Sequence, residues 1–184
     1  MASSRVPPHR SLPHVLETIA AAAKAAPRGR WIRGWGFTTR MIQGNRAMTR
    51  WKLDEAAPEN PVCIMDSNCH ACYANSAALA LARIDRHTPD PAHGQILRTT
   101  NDEPNGTLWE RAMDPVHALS LRAYLDYYGD TVADLVQANG LRHLACGITS
   151  IGDALVTPEA ADMYRLAKAH RKSISATSAP ARRG

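Results

Sequence analysis

An α/β architecture built on a parallel sheet or barrel is the fold class this sequence predicts. Short apolar runs alternate with segments that carry helical stripes, the pattern of strands joined by covering helices. The run Pro61-Val62-Cys63-Ile64-Met65 is apolar between turn residues, as in a strand buried on both faces. With 184 residues and 45% apolar content, the chain is long enough for one domain with a real core, and no internal repeat divides it.

Residues 1–10 are expected to be disordered. A helix follows from about Leu12 to Ala26. Ser11 can cap it, Pro13 suits its first turn, and Val15, Leu16, Ile19, Ala22 and Ala23 form one stripe. Pro27 and Gly29 stop it. Trp31 to Trp35 reads as a short strand with both indoles on one face, toward the core. After a loop over 36–48, Thr49 caps a short helix through Leu53 to Ala57, ended by Pro58. The apolar strand Pro61–Met65 precedes an Ala- and Leu-rich helix over Asn75–Ala82.

Thr88-Pro89-Asp90-Pro91 breaks the chain. Gln95–Arg98 and Thr107–Trp109 then read as a β-hairpin around Asn101–Gly106. Leu119–Tyr128 and Thr131–Cys146 read as helices, with Gly140 weakening or dividing the second. Gly147–Asp153 is expected as a short buried strand ending in an acid. Thr157-Pro158-Glu159 opens a helix through Met163, Leu166 and Ala167. From His170 the periodicity stops, and residues 169–184 are expected as a disordered basic tail.

The net charge of +5 is unevenly placed. Six of the 22 Lys and Arg residues fall in 165–184, where there is no acid; the remaining 16 balance 17 acids. The body therefore presents no basic face and no nucleic-acid motif, so nucleic acid is not an expected partner. No apolar run approaches the roughly 20 residues of a membrane span, and the first residues lack the apolar core of a signal peptide, so the expected location is cytoplasmic and no membrane partner is expected.

Four cysteines occur, Cys63, Cys69, Cys72 and Cys146. Without a secretory signal a disulfide framework is not expected. Cys69-His70-Ala71-Cys72, with Cys63 upstream, has zinc-ligand chemistry, but the second ligand pair of a zinc module is missing. A redox Cys-x-x-Cys lacks its helix-start and proline context. The remaining reading is ordinary buried thiols.

His70 is the strongest candidate for chemistry. It follows a buried strand, and ligands gather beyond the carboxyl ends of strands in α/β sheets and barrels. Its imidazole could bind metal, hydrogen-bond a carbonyl or shuttle a proton, or only order a loop. Asp153 and Asp66 end strands in the same way and could serve as base or ligand, or as loop caps. Glu110 follows the hairpin, with an exposed ion pair as its plainer role. Ser67 and Ser76 lack a nucleophile elbow, and no Gly-rich phosphate loop is present.

Trp31-Ile32-Arg33-Gly34-Trp35-Gly36, Leu53-Asp54-Glu55-Ala56-Ala57-Pro58 and Asn60-Pro61-Val62 are followed in order by His70-Ala71, Asn75-Ser76-Ala77-Ala78-Leu79, Thr88-Pro89-Asp90-Pro91, Gly94-Gln95-Ile96-Leu97-Arg98, Gly106-Thr107-Leu108-Trp109-Glu110 and Gly147-Ile148-Thr149-Ser150. This ordered set, over about residues 11–168, resembles the amidohydrolase family 3 branch that includes N-substituted formamide deformylases. The resemblance implies a TIM-barrel-type, metal-dependent hydrolase fold, here partial, with an incomplete strand set and an inserted β-hairpin. It also implies hydrolysis of carbon–nitrogen bonds in small amide-like substrates by water activated on a divalent metal, usually zinc.

Family members carry His-x-His upstream of these segments and further ligands downstream, and no two of the eight histidines here stand as His-x-His. No metal ligand is therefore assigned and no metal is expected on this chain. His70 and Asp153 remain as substrate-side candidates. The family usually has Asp-Gly before the histidine matching His70; Asn68-Cys69 stands there instead, which bears on the loop's geometry. The tail after Lys168 reads as out-of-frame translation of a truncated or frameshifted gene. The expected product is an inactive internal fragment, self-associating through uncovered barrel edges. The alternative is a non-catalytic interaction or structural-zinc module.

Overall fold

The computed structural model describes residues 11–38, 47–153 and 156–177, with 171–177 by backbone alone. The expected disorder of residues 1–10 and of 178–184 falls outside these, as does most of the loop over 36–48. Two compact units are present, Met1–Ser120 and Leu121–Gly184.

The first unit holds a five-stranded sheet. α1 (Leu12–Ala25) leads to β1 (Ile32–Phe37), α2 (Arg50–Ala56), β2 (Val62–Asp66), β3 (Ala71–Ala74), α3 (Ser76–Leu81), β4 (Gly94–Arg98) and β5 (Pro104–Glu110). A 3-10 turn over Arg111–Met113 then opens α4 (Asp114–Ala145). The Ser11 side chain caps α1 as expected, accepting from the His14 N–H, and Asn75 caps α3 through the Ala78 N–H at 3.0 Å. Thr49 occupies the cap position of α2 without a side-chain cap bond.

The strand order is β1-β2-β3-β5-β4. Only β1 and β2 are parallel; β2–β3, β3–β5 and β4–β5 are antiparallel. The sheet is thus mixed, where a parallel sheet or barrel with an inserted hairpin was expected. The reason is β3, a strand missed in the sequence because Ala71-Cys72-Tyr73-Ala74 carries no apolar–polar alternation and no Gly-rich turn before it. It folds straight back on β2, and β5 and β4 then add beyond it in alternating sense.

Both faces of the sheet are covered. Val62, Ile64, Ile32 and Tyr73 pack with Leu12, Val15 and Ile19 of α1 and Leu53 of α2. Cys63, Cys72, Ala74, Ile96 and Leu108 pack with Leu79 of α3 and Val116 of α4. The pleat assigns alternate residues of β2 to opposite cores, which explains its uniformly apolar sequence. Trp31 packs on the second core as expected, but Trp35 is exposed. Gly34 lies against Ile64: a Cβ there would stand 2.8 Å from the Ile64 Cδ1, which would have to move aside.

The second unit contains most of α4, which leaves helical geometry at Tyr128 (φ −116°, ψ 19°), and α5 (Pro158–Thr177). The break falls at Tyr128, where the first of the two expected helices was to end, and the helix runs on through Gly140. Leu125, Val132, Ala133 and Ala167 are buried, and ion pairs join Arg122 to Glu159 (3.2 Å) and His170 to Asp134 (2.9 Å). α5 continues past His170 to Thr177, so the segment expected to lose structure at 169 is helical through 177.

The strand expected over Gly147–Asp153 is absent. Gly147 (φ +79°) instead ends α4: its N–H bonds the Leu144 carbonyl (2.9 Å) and the Ile148 N–H bonds that of His143 (2.9 Å). This is a Schellman closure, in which the glycine serves as a helix stop. Residues 148–153 that follow it are exposed and unpaired with any strand.

Candidate functional site

The parallel pair β1 and β2 ends at Phe37 and Asp66, and the chain reverses over Ser67–His70 into β3. Asp66 holds this turn. Its Oδ1 accepts from the Asn68 N–H (3.0 Å) and its Oδ2 from the buried Tyr73 hydroxyl (2.9 Å), while its carbonyl accepts from the Cys69 N–H (3.0 Å). Asn68 Oδ1 then accepts from the His70 N–H at 2.8 Å. Asp66 is buried and fully engaged, so it orders the loop and is not a free base.

Cys69 has φ +63°, a left-handed conformation that suits glycine. Asn68-Cys69 stands where the resemblance led one to expect Asp-Gly, and the backbone takes a turn that a glycine would favour. The change of residue leaves a strained cysteine, and His70 is still presented beyond β2.

His70 is exposed. Its Nδ1 lies 2.9 Å from Oε1 of Glu110, and its carbonyl accepts from the Glu110 N–H at 2.9 Å. Glu110 ends β5 with φ +51° and ψ −127°, outside the regions ordinary residues adopt. His93, across the hairpin where Gly94 pairs with Glu110, also has positive φ (60°), and its carbonyl accepts from the Arg111 N–H at 3.3 Å. Three left-handed non-glycine residues, Cys69, His93 and Glu110, therefore stand at one end of the sheet. Such clustering is commoner at functional sites than elsewhere.

At the opposite end of β2 and β3 a buried asparagine fixes the strands. Asn75 Oδ1 accepts from the Val62 and Ala78 N–H groups (2.9 and 3.0 Å), and its Nδ2 donates to the Asn60 carbonyl at 2.9 Å. Asn60 in turn donates to the Pro27 and Arg30 carbonyls, both at 2.8 Å. Asp54 of α2 accepts from the Ser76 N–H (2.9 Å) and hydroxyl (2.6 Å). Ser76 is thus a structural cap partner.

Cys63 and Cys72 are both buried on the second core face, while Cys69 is exposed in the turn. Arg33 of β1, opposite Cys63 in register, donates to the Ser120 hydroxyl at 2.9 Å. A hydrogen bond from Cys72 lowers the Cys63 pKa to about 7, against burial and with help from the Arg33 charge. The same bond, with burial, holds the Cys72 proton well above the usual thiol range. The polar role of Arg33 had no signal in the sequence, because its partners are remote in the chain.

Asp153 does not reach a strand end. It accepts from the Tyr164 hydroxyl at 2.7 Å within the second unit, and the expected strand ending in this acid is not formed. His70 stands beyond the parallel strands of the first unit.

The profile of the amidohydrolase family matches residues 1–180, nearly the whole sequence. The chain belongs to the amidohydrolase family. It is 42% identical over 166 residues to the N-substituted formamide deformylase of Arthrobacter pascens, covering 90% of this chain and 31% of that protein. It is 32% identical over 161 residues to the exoenzymes regulatory protein AepA of Pectobacterium carotovorum, covering 83% of this chain and 33% of that protein. An uncharacterized metal-dependent hydrolase from Pyrococcus furiosus shares the fold over 91% of this chain and 31% of its own, with TM-score 0.53 and 20% identity. The chain spans about a third or less of the length of the relatives it matches. The family match also runs past Lys168, where the resemblance was expected to end.

Amidohydrolase-family membership raises the question of a metal. A catalytic zinc site takes three protein ligands around an open position. Among the described residues no three His, Cys, Asp or Glu side chains gather in this way. Cys69 and His70 lie in the exposed turn while Cys72 is in the core, so the structural-zinc grouping of these three is not formed. The described residues do not make a site for the metal. No helix among them is long and apolar enough to cross a membrane.

Proposed function

We propose that this chain supplies one part of a partial TIM-barrel-type amidohydrolase, an enzyme that hydrolyses carbon–nitrogen bonds in small amide-like substrates. The observation that carries the reading is the His70–Glu110 pair, 2.9 Å apart beyond the carboxyl ends of parallel β1 and β2, in a chain 42% identical to an N-substituted formamide deformylase. In this reading His70 faces the substrate, its ring oriented by the Glu110 carboxylate, and hydrogen-bonds a polar atom of the amide. The divalent metal, zinc in this proposal, and its ligands lie in segments that these residues do not contain, so the chain alone does not turn over substrate. Its location is the cytoplasm. β1 and β4 stand at the open edges of the sheet, and self-association proceeds through such edges.

The reading is tested by replacing the matched segment of the Arthrobacter pascens deformylase with this chain and measuring formate release from an N-substituted formamide. Activity in the chimera with none in the isolated chain supplied with zinc supports it. A folded, metal-loaded chimera without activity opposes it, as does turnover by the isolated chain.

A further inference from the structure

Cys63 lies opposite Ala74, and Cys72 lies opposite Met65, so the two cysteines are diagonal neighbours on adjacent antiparallel strands. Both side chains enter the same core and are almost wholly buried, at 2% and 0% exposure. The Arg33 guanidinium is positioned on the same sheet face and held there by Ser120. A fixed positive charge beside two adjacent thiols favours a thiolate at one of them, which inert core cysteines lack. The other two cysteines, Cys69 and Cys146, are exposed and have no such arrangement.

We propose that Cys63 and Cys72 are an oxidation site, a dithiol that hydroperoxides convert to an intramolecular disulfide. The Cys63 thiolate attacks one peroxide oxygen; the O–O bond breaks, a sulfenic acid forms and water (or an alcohol) leaves after taking a proton. The Cys72 sulfur, giving up its proton, attacks the Cys63 sulfur; the S–S bond forms and a second water leaves. The dithiol loses two electrons and the peroxide gains them. Peroxide enters by local opening of the core. Diagonal cross-strand Cα atoms stand about 7–8 Å apart, at or beyond the reach of a relaxed disulfide. Closure therefore slides β2 along β3, against their ladder, and strains the bond, which makes it readily reducible. The same two strands carry the turn that presents His70, so oxidation displaces His70 from Glu110.

The test is non-reducing peptide mapping of the folded chain after hydrogen peroxide. The expected result is a peptide linking Cys63 to Cys72, lost on adding dithiothreitol. In Cys72→Ser the link is lost and Cys63 accumulates a sulfenic acid that dimedone traps. The proposal is overturned if Cys63 and Cys72 remain thiols at a dose that oxidises Cys69 and Cys146, or if the only links formed involve those two. Mapping of the unsubstituted chain decides the matter by itself if Cys72→Ser does not fold.

Discussion

The imidazole Nδ1 of His70 lies 2.9 Å from Oε1 of Glu110, and the backbones of the two residues are joined by a second hydrogen bond, from the Glu110 N–H to the His70 carbonyl. Both side chains are more than half exposed, and even a fully charged surface pair contributes only about 0–1 kcal/mol. Stability therefore does not explain why a glutamate occupies a backbone conformation (φ +51°, ψ −127°) that favours glycine.

The strain has a measurable consequence. A non-glycine residue in such a region costs about 1–3 kcal/mol. Glu110→Ala keeps the strain and Glu110→Gly removes it. Urea unfolding should show the glycine variant about 1 kcal/mol more stable than the alanine variant, although glycine is the more flexible residue when unfolded. Equal stabilities would show that Glu110 is not strained.

Asn75 should be among the most sensitive positions in the first unit. Its removal leaves the buried Val62 N–H and Asn60 carbonyl without partners, and each such loss costs about 1–3 kcal/mol. Asn75→Ala should destabilise by about 2–4 kcal/mol in urea unfolding. Asn75→Asp should not rescue it, because a carboxylate cannot donate to the Asn60 and Ala57 carbonyls. A variant within 1 kcal/mol of the unsubstituted chain (a rough bound) would remove Asn75 from this role.

Two glycines with similar backbone should respond differently. A Cβ on Gly106 (φ +98°) would stand 2.4 Å from the Ala74 carbonyl oxygen and 2.8 Å from the Arg50 nitrogen, whereas one on Gly36 (φ +94°) would meet nothing within 4 Å. Gly36→Ala should cost only the conformational strain, about 1–3 kcal/mol. Gly106→Ala must also push two backbones apart, and its melting temperature should fall well below that of Gly36→Ala. Similar melting temperatures would place β5 farther from α2 than the structure does.

The thiol pair predicts a pH dependence. Because the folded state lowers the Cys63 pKa, the unfolded chain holds that proton more tightly, so this group's stabilisation grows as pH rises from about 7 to the unfolded thiol value of roughly 8.5. Cys72, shifted upward, works against stability once pH exceeds the unfolded thiol value. Thiolate absorbance of the folded protein should rise near neutral pH and be lost in Cys63→Ser. In Cys72→Ala it should move to higher pH, since the Cys72 hydrogen bond is the largest cause of the shift. Absorbance unchanged by Cys63→Ser would assign the ionisation to another cysteine.

Much of the first unit could be read from local sequence signals. Ser11 announces a helix start, the Ala- and Leu-rich run after Asn75 reads as helix, and the β4–β5 hairpin follows from its turn residues. What failed did so for physical reasons. Ala71–Ala74 is buried throughout, so its sequence has no period to detect. Gly147-Ile148-Thr149 has the composition of a strand, but its glycine is used to stop α4. The mixed sheet depends on pairing between remote segments, and so does the contact of His70 with Glu110, 40 residues away. His70 was found from its place after a strand. Its partner could be suspected only as an acid at the end of the hairpin.

The central claim is that His70, oriented by Glu110, faces the substrate of an amidohydrolase-type hydrolase. The most direct measurement is kcat/KM for an N-substituted formamide in the deformylase chimera, comparing His70→Ala and Glu110→Gln with the unsubstituted chimera. Loss of a group that hydrogen-bonds the reacting amide should lower kcat/KM about 10²-fold or more for His70→Ala, with a smaller loss for Glu110→Gln and unchanged metal content in both. Full activity of a folded, metal-loaded His70→Ala chimera would contradict the account.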